Sequence, residues 1–165
     1  MADRPKNNQP LLPSILDRLI DDEPTLSREA PRTNVQVLRD LKQAVRRDLE
    51  NLLNTRCRPV TWSEELGELE TSLVNYGIPD FTGSNLRAAE DPDILFRAIE
   101  TAIRNFEPRL SRIRVEPLTN QDKLDRTLRF RIDAVLHVEP IQEKVLFNSV
   151  LETASGTYQV EGEAP

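Results

Sequence analysis

The chain has one cysteine, one histidine, one tryptophan and five glycines in 165 residues. A lone Cys57 excludes an internal disulfide and any metal site built on several thiolates, and it fits a reducing compartment. Arg56 and Arg58 flank it and would favour a thiolate, but a nucleophilic cysteine also needs a positioned base. The only histidine, His137, falls on the polar face of an expected strand with no companion ligand, so a solvated surface histidine is the reading taken. No phosphate-binding loop, dinucleotide fingerprint, HExxH, CxxC or EF-hand loop occurs. No catalytic residue, cofactor or metal is expected. No apolar run approaches the ~20 residues needed to span a bilayer. The start Met1-Ala2-Asp3-Arg4-Pro5 lacks the apolar stretch of a signal peptide. A cytoplasmic protein without direct membrane insertion is the expectation.

Excess positive charge is also missing. The formal net charge is −6, which argues against nonspecific nucleic-acid binding, since that is driven by Lys and Arg neutralising phosphates. The arginines are clustered, however, and a local basic patch stays open. Hydrophobic residues make up 38% and charged residues 30%, so a modest core under a charged surface is expected.

Proline, by contrast, is plentiful. Five of the twelve prolines lie in residues 1–32 (Pro5, Pro10, Pro13, Pro24 and Pro31), which reads as an extended, flexible arm before a single domain at 33–165. Within the arm, Leu12, Ile15, Leu16, Leu19 and Ile20 fall at helical spacing. So short a helix is marginal alone, and its apolar stripe must dock, on its own domain or on a partner.

A long helix is expected from about Val35 to Leu53, capped by Thr33 or Asn34. Val35, Leu38, Leu41, Val45, Leu49 and Leu52 mark its inner face, and Arg39, Lys42, Arg46, Arg47 and Glu50 the other. A short helix from Ser63 to Asn75, with Leu66, Leu69 and Leu73 inward, ends at Tyr76-Gly77. A third helix follows Asp91-Pro92, with Ile94, Leu95, Ala98, Ile99, Ala102, Ile103 and Phe106 as its stripe. Ile99, Ile103 and Phe106 should lie against Phe130 and Ile132. Strands follow: one about Ile113 and Val115, one over Leu128–Val138 with strict alternation, and one through Val145, Phe147 and Leu151, with its continuation through Ser155-Gly156 to Tyr158 and Val160 left open. The fold class is α+β: N-terminal helices packed on one face of a small, mainly antiparallel C-terminal sheet of about three to four strands. The last strand is a candidate open edge.

The most informative run is Phe106-Glu107-Pro108-Arg109-Leu110, where the third helix gives way to a strand. Pro108 cannot continue the helix. Glu107 and Arg109 flank a rigid kink, and a carboxylate and a guanidinium there are costly to bury without partners. They are candidates for a functional contact; the plainer alternative is a helix stop with a surface ion pair.

Together with Leu11-Leu12-Pro13-Ser14-Ile15-Leu16-Asp17-Arg18-Leu19, Leu52-Leu53-Asn54-Thr55-Arg56, Tyr76-Gly77-Ile78-Pro79-Asp80-Phe81, Leu128-Arg129-Phe130-Arg131-Ile132 and Val145-Leu146-Phe147, that run resembles the TssE family of type VI secretion systems. This family is related to the baseplate wedge proteins of contractile phage tails. The resemblance implies a structural wedge subunit that meets TssF, TssG and TssK and helps start the TssB–TssC sheath. It implies that Glu107, Pro108 and Arg109 contact the helical core bundle of the wedge. It also implies strand exchange with the sheath through an edge of the strands about Arg126–Glu139 and Lys144–Val160. Leu12, Ile15, Leu16 and Leu19 are the arm's candidate contacts. Two other classes stand as alternatives: a small adaptor or anti-adaptor of the same fold, and a lysozyme-like muramidase. The latter needs two carboxylates across a cleft; Glu107 has no marked second acid, and Arg109 favours its charged form where a general acid must hold a proton.

Overall fold

A computed structural model describes residues 14–20, 25, 33–60, 63–81, 92–119, 127–138, 141–152 and 155–162. Leu12, Asp91 and Pro140 lie outside the described residues. The helices are α1 (Ile15–Leu19), α2 (Asn34–Asn54) and α3 (Pro92–Phe106), with two 3-10 turns at Glu64–Thr71 and Leu73–Asn75. The strands are β1 (Leu110–Leu118), β2 (Thr127–Val138), β3 (Ile141–Glu152) and β4 (Thr157–Gly162). They form one antiparallel sheet in the order β1-β2-β3-β4. The layout is the expected α+β.

Helix α2 starts with a full capping box: the Thr33 hydroxyl accepts from the Gln36 N–H, and the Gln36 side chain accepts from the Thr33 N–H. Its buried face is Val37, Leu41, Ala44, Val45, Leu49, Leu52 and Leu53. Val35, expected inward, is 78% exposed, because a residue two places before Val37 sits about 200° round the helix from it. Helix α2 lies over β4 and α3 over β1. From α3, Leu95, Phe96, Ile99, Ala102 and Ile103 are buried.

The aromatic centre differs from the expected one. Phe96, absent from the anticipated stripe, meets Phe130 at 6.0 Å, and Phe130 meets Tyr158 edge-on at 6.2 Å. Phe106 is only half-buried and packs edge-on against Tyr76 at 5.2 Å. The segment after Ser63 is 3-10 rather than α, with Leu66 and Leu73 exposed and Leu69 half-buried. Gly67 and the non-helical backbone of Leu66 interrupt the regular turn there. Gly77 has φ +115°, and a Cβ there would lie 2.5 Å from the Thr55 carbonyl oxygen. Only glycine lets Ile78 pair with Arg56 across that gap.

The third expected strand is two strands. A turn at Ser155-Gly156, with Gly156 at φ +69°, reverses the chain and sends β4 back along β3. β1 and β4 are the sheet's edges. β1 carries a bulge between Ser111 and Arg114, where Arg112 has φ +51°, and such a break twists an edge away from further pairing. Helix α2 closes the edge of β4. The Asn54 amide donates to the Tyr158 carbonyl (2.8 Å) and accepts from its N–H (2.9 Å), and Arg46 donates to the Val160 carbonyl (2.8 Å).

The closure stops partway. β4 pairs only with Phe147–Glu152, so on that side no described strand stands beside Ile141–Leu146. Tyr158 and Val160 turn their main-chain groups away from β3. By the two-residue alternation, Gln142, Lys144 and Leu146 therefore turn theirs toward the uncovered side. A groove of about 410 Å³ lies there, with Val145, Leu146 and Phe147 along one wall and Leu38, Arg39 and Lys42 of α2 among the opposite lining.

Candidate functional site

The junction after α3 is a turn. The Glu107 N–H donates to the Ile103 carbonyl at 2.9 Å as the last helical bond. The Leu110 N–H then donates to the Glu107 carbonyl at 3.1 Å, placing Pro108 at the second position of a four-residue turn, where its fixed φ is favourable. This turn folds Arg109 back over Glu107. Arg109 Nε donates to Glu107 Oε1 at 2.6 Å, Nη2 donates to Oε2, and the Arg109 N–H adds a third, longer contact at 3.3 Å. Glu107 is 5% exposed, one of two polar or charged residues among the buried described set. Its burial is tolerable because both oxygens are taken by a bidentate guanidinium.

The pair extends further than sequence reasoning anticipated. Arg109 Nη2 also donates to Asp48 Oδ2 on α2 at 2.6 Å. Asp48 Oδ1 accepts from Arg47 Nε and Nη2 at 3.1 and 3.0 Å. The same Arg47 Nη2 reaches Asp17 Oδ1 on α1 at 2.9 Å, and Asp17 Oδ2 accepts from Ser14 Oγ at 2.6 Å. Glu107, Arg109, Asp48, Arg47 and Asp17 thus form one continuous chain of alternating charge. Three carboxylates face two guanidiniums, so the chain carries one excess negative charge.

The electrostatics follow the geometry. Hydrogen bonds from Arg109 to Glu107, and then to Asp48, hold the Arg109 guanidinium charged well above its ordinary range, against the opposing effect of burial. Burial pushes the Asp17 carboxyl up, but the hydrogen bonds from Ser14 and Arg47 and the charges of Arg47 and Arg109 outweigh it and hold it below its usual value. Tyr76 lies close enough that burial first, then the charges of Asp48 and Glu107, raise its hydroxyl. Arg109 Nη1 has no partner among the described residues. Pro108 is exposed, so the turn presents a rigid ring beside a spare guanidinium donor.

Of the two dockings open to the apolar stripe of the arm, the one on its own domain is not made by the described residues of α1. Ser14 caps α1 through the Asp17 N–H, and no residue of α1 is buried. Ile15 and Leu19 are 77% and 75% exposed, and Leu16 is also exposed. Among the described residues, the polar Asp17–Arg47 contact ties α1 to the body, while Ile15, Leu16 and Leu19 are exposed. Of the anticipated contacts, Glu107, Pro108 and Arg109 come together with Asp17 of the arm. The structure adds Arg47, Asp48 and Tyr76. Arg47 was visible in sequence only as part of a basic cluster, and nothing marked Asp48. Ser111 Oγ and His137 Nε2 lie 2.5 Å apart, and the His137 N–H donates to the Arg109 carbonyl at 2.8 Å. Among the described residues no cluster of His, Cys, Asp and Glu is suited to a metal, and no helix is long and apolar enough to cross a membrane.

Comparison with curated proteins gives no match. Comparison with protein families gives one: the profile described as baseplate wedge protein gp25 matches residues 39–141. That span begins early in α2, contains the Glu107-Pro108-Arg109 turn and α3, and ends as β3 begins. It covers more than half of the 165-residue chain. The chain belongs to the gp25 family of baseplate wedge proteins, a family with a structural place in contractile baseplates and one that includes TssE.

Proposed function

We propose that this protein is the TssE-type subunit of a type VI secretion baseplate, non-enzymatic and cytoplasmic, held near the membrane only through the assembled machine. It sits in the wedge with TssF, TssG and TssK and helps start assembly of the TssB–TssC sheath. The observation that carries this reading is the Glu107–Arg109 turn. A buried bidentate pair preorganises the guanidinium, Pro108 fixes the backbone, and Arg109, a quarter exposed with Nη1 unpaired among the described residues, is left to meet an acceptor on the wedge's helical bundle. An acceptor fixed against a preorganised guanidinium gives register as well as energy. The uncovered stretch of β3 supports strand addition by the sheath, since its main-chain groups stand beside a groove of about 410 Å³. The exposed Ile15, Leu16 and Leu19 support docking of the arm on a wedge partner.

The test is assembly in cells. Removing one partner of an ion pair desolvated against the wedge costs about 3–5 kcal/mol, and at ~1.4 kcal/mol per factor of ten that lowers affinity roughly a hundred- to several-thousandfold. Glu107→Ala and Arg109→Ala should each abolish sheaths seen by fluorescence microscopy while the purified proteins stay folded. Normal sheaths in both variants would remove the junction from the wedge contact. Deleting residues 1–24 should leave the fold intact and weaken capture of TssF–TssG; normal capture would remove the arm from the reading. Purified protein should not hydrolyse peptidoglycan, and an activity lost in Glu107→Gln would replace the structural reading with a muramidase.

A further inference from the structure

Arg47 Nη2 is shared between two carboxylates, Asp48 of its own helix and Asp17 of α1. Asp48 in turn divides its oxygens between Arg47 and Arg109. No residue of α1 is fully buried, and its most covered side chain is Asp17 itself, so among the described residues its attachment depends on how much of Arg47 remains available to Asp17. We propose that the junction and the α1 segment are coupled through Asp48 and Arg47, so that a partner acceptor drawing Arg109 away from Asp48 releases α1.

The sign follows from charge balance. With Arg109 in place, Asp48 has two cations, and Arg47 can lend a donor to Asp17. Once Arg109 turns to an outside carboxylate or carbonyl, Arg47 is the cation left to Asp48. Its Nε and Nη2, which both sit on Asp48 Oδ1 in the closed state, then spread over both Asp48 oxygens, including the Oδ2 that Arg109 vacates, and the Nη2 bond to Asp17 opens. Asp17 also loses the attraction of the Arg109 charge, which reaches it in the closed state. Contact at the junction would therefore come first, and movement onto the wedge of the freed α1, whose apolar residues already face outward, second. Glu107 acts as the positioning residue: it competes with Asp48 for Arg109, so neutralising it strengthens the Arg109–Asp48 link and leaves α1 held.

The trigger rests on the reading of the junction as the wedge contact, while the coupling belongs to the chain alone and is tested on the isolated full-length protein. Trypsin cleaves after Arg18, in the last turn of α1. When opening and closing are fast relative to cleavage, the rate follows the open population. Arg109→Gln should speed cleavage at Arg18 about two- to fivefold, the range set by partly exposed ion pairs. Arg47→Gln should speed it at least as much, and adding Arg109→Gln to Arg47→Gln should change the rate far less than it does in the wild type. Glu107→Gln should leave the rate unchanged or slower. A wild-type rate in Arg109→Gln, or independent effects of the two arginines, would overturn the coupling. Should Arg109→Gln unfold, seen as simultaneous cleavage throughout the body, Arg109→Lys keeps the charge without the fork and should give an intermediate rate at Arg18; no change there would overturn the proposal equally. Normal sheaths in Glu107→Ala and Arg109→Ala would remove the wedge contact and leave the coupling standing, whereas unaltered cleavage would remove the coupling and leave the wedge contact standing.

Discussion

The middle and the end of α3 are held by opposite kinds of force. In the middle, Leu95, Phe96, Ile99 and Ile103 are buried against a sheet face whose centre is Phe130. At the end, Glu107 is equally buried but held by a guanidinium, and the atoms around it are charged. Apolar burial is non-directional and sums over area, so the middle fixes that the helix lies on the sheet. Bidentate ion pairs are directional but nearly cancel their own desolvation, so the end adds little stability while fixing how one turn is presented. From the helix to the turn that follows it, one region determines folding and the next is free to serve contact.

The sharpest test of that division replaces an aromatic in each region. Phe96→Ala should cost about 3–5 kcal/mol, the usual size for a fully buried aromatic truncated to Ala. Phe106→Ala, half-buried at the junction, should cost less than half as much. Chemical denaturation of the two variants decides it. Equal losses would mean that the junction is as much core as the middle.

A second test stays on the apolar side. Tyr158 is buried beneath Phe130 and Arg56. Burial pushes its hydroxyl up to about 12, with the Arg56 charge opposing and Asp80 adding to the rise. The folded value lies above the unfolded one, so the stability it contributes is fully present below pH ~10 and is lost as pH rises toward ~12. At ~1.36 kcal/mol per unit, the loss is about 2–3 kcal/mol. Denaturation midpoints measured across that window should fall in the wild type and stay flatter in Tyr158→Phe. Parallel curves would mean that the ring is not sealed from water.

How much of this division was legible beforehand depends on the range of the forces. The strict alternation from Leu128 to Val138 gave β2 almost to the residue, because half-burial imposes a period of two. Pro92 and the stripe behind it gave α3. Phe96 was missed because it sits one place beyond a stripe that already looked complete. Val35 was misassigned because six apolar residues at near-helical spacing leave the rotation of the face loose by a residue. The turn at Ser155-Gly156 was read as strand because Tyr158 and Val160 keep the alternation going across it. At the site, Glu107 and Arg109 were legible because proline writes the kink into the sequence. Asp48 and Arg47 were not, because their partners arrive from residues 61 and 30 positions away. No local pattern records a contact that only the packing of α1 and α2 creates.

A smaller effect is expected from the charged end itself. Glu107→Ala leaves Arg109 with Asp48 still in place. Its cost to folding should be about 1–3 kcal/mol, the range for leaving a polar group without its partner. It should therefore fall below Phe96→Ala in denaturation while exceeding it in loss of sheath assembly. The opposite ranking in both assays would dissolve the contrast between the two regions.

The smallest expected effect lies at the far end of the charge chain, in Asp17. Its carboxyl is depressed in the folded protein, because hydrogen bonds from Ser14 and Arg47 and the charges of two arginines overcome the burial that would raise it. A depressed folded value means that its contribution is present above the unfolded value of ~3.9 and disappears as pH falls through the folded value. The side chain is 13% exposed but its partner Arg47 is 39% exposed, so screening keeps the contribution within the ~0–1 kcal/mol usual for such pairs. That is too little to unfold the body, whose apolar centre does not titrate in acid, yet α1 buries no residue that would hold it otherwise. On acidification below about pH 4 the amides of Arg18 and Ile20, which donate within α1, should lose protection from hydrogen exchange while those of β2 keep theirs. Raising salt at neutral pH should loosen the same two amides in part, because an ion pair at this exposure is screened. Asp17→Asn should remove both responses. If α1 stays protected in acid and in salt, its attachment is not electrostatic, and the charged end of the molecule stops at Arg109.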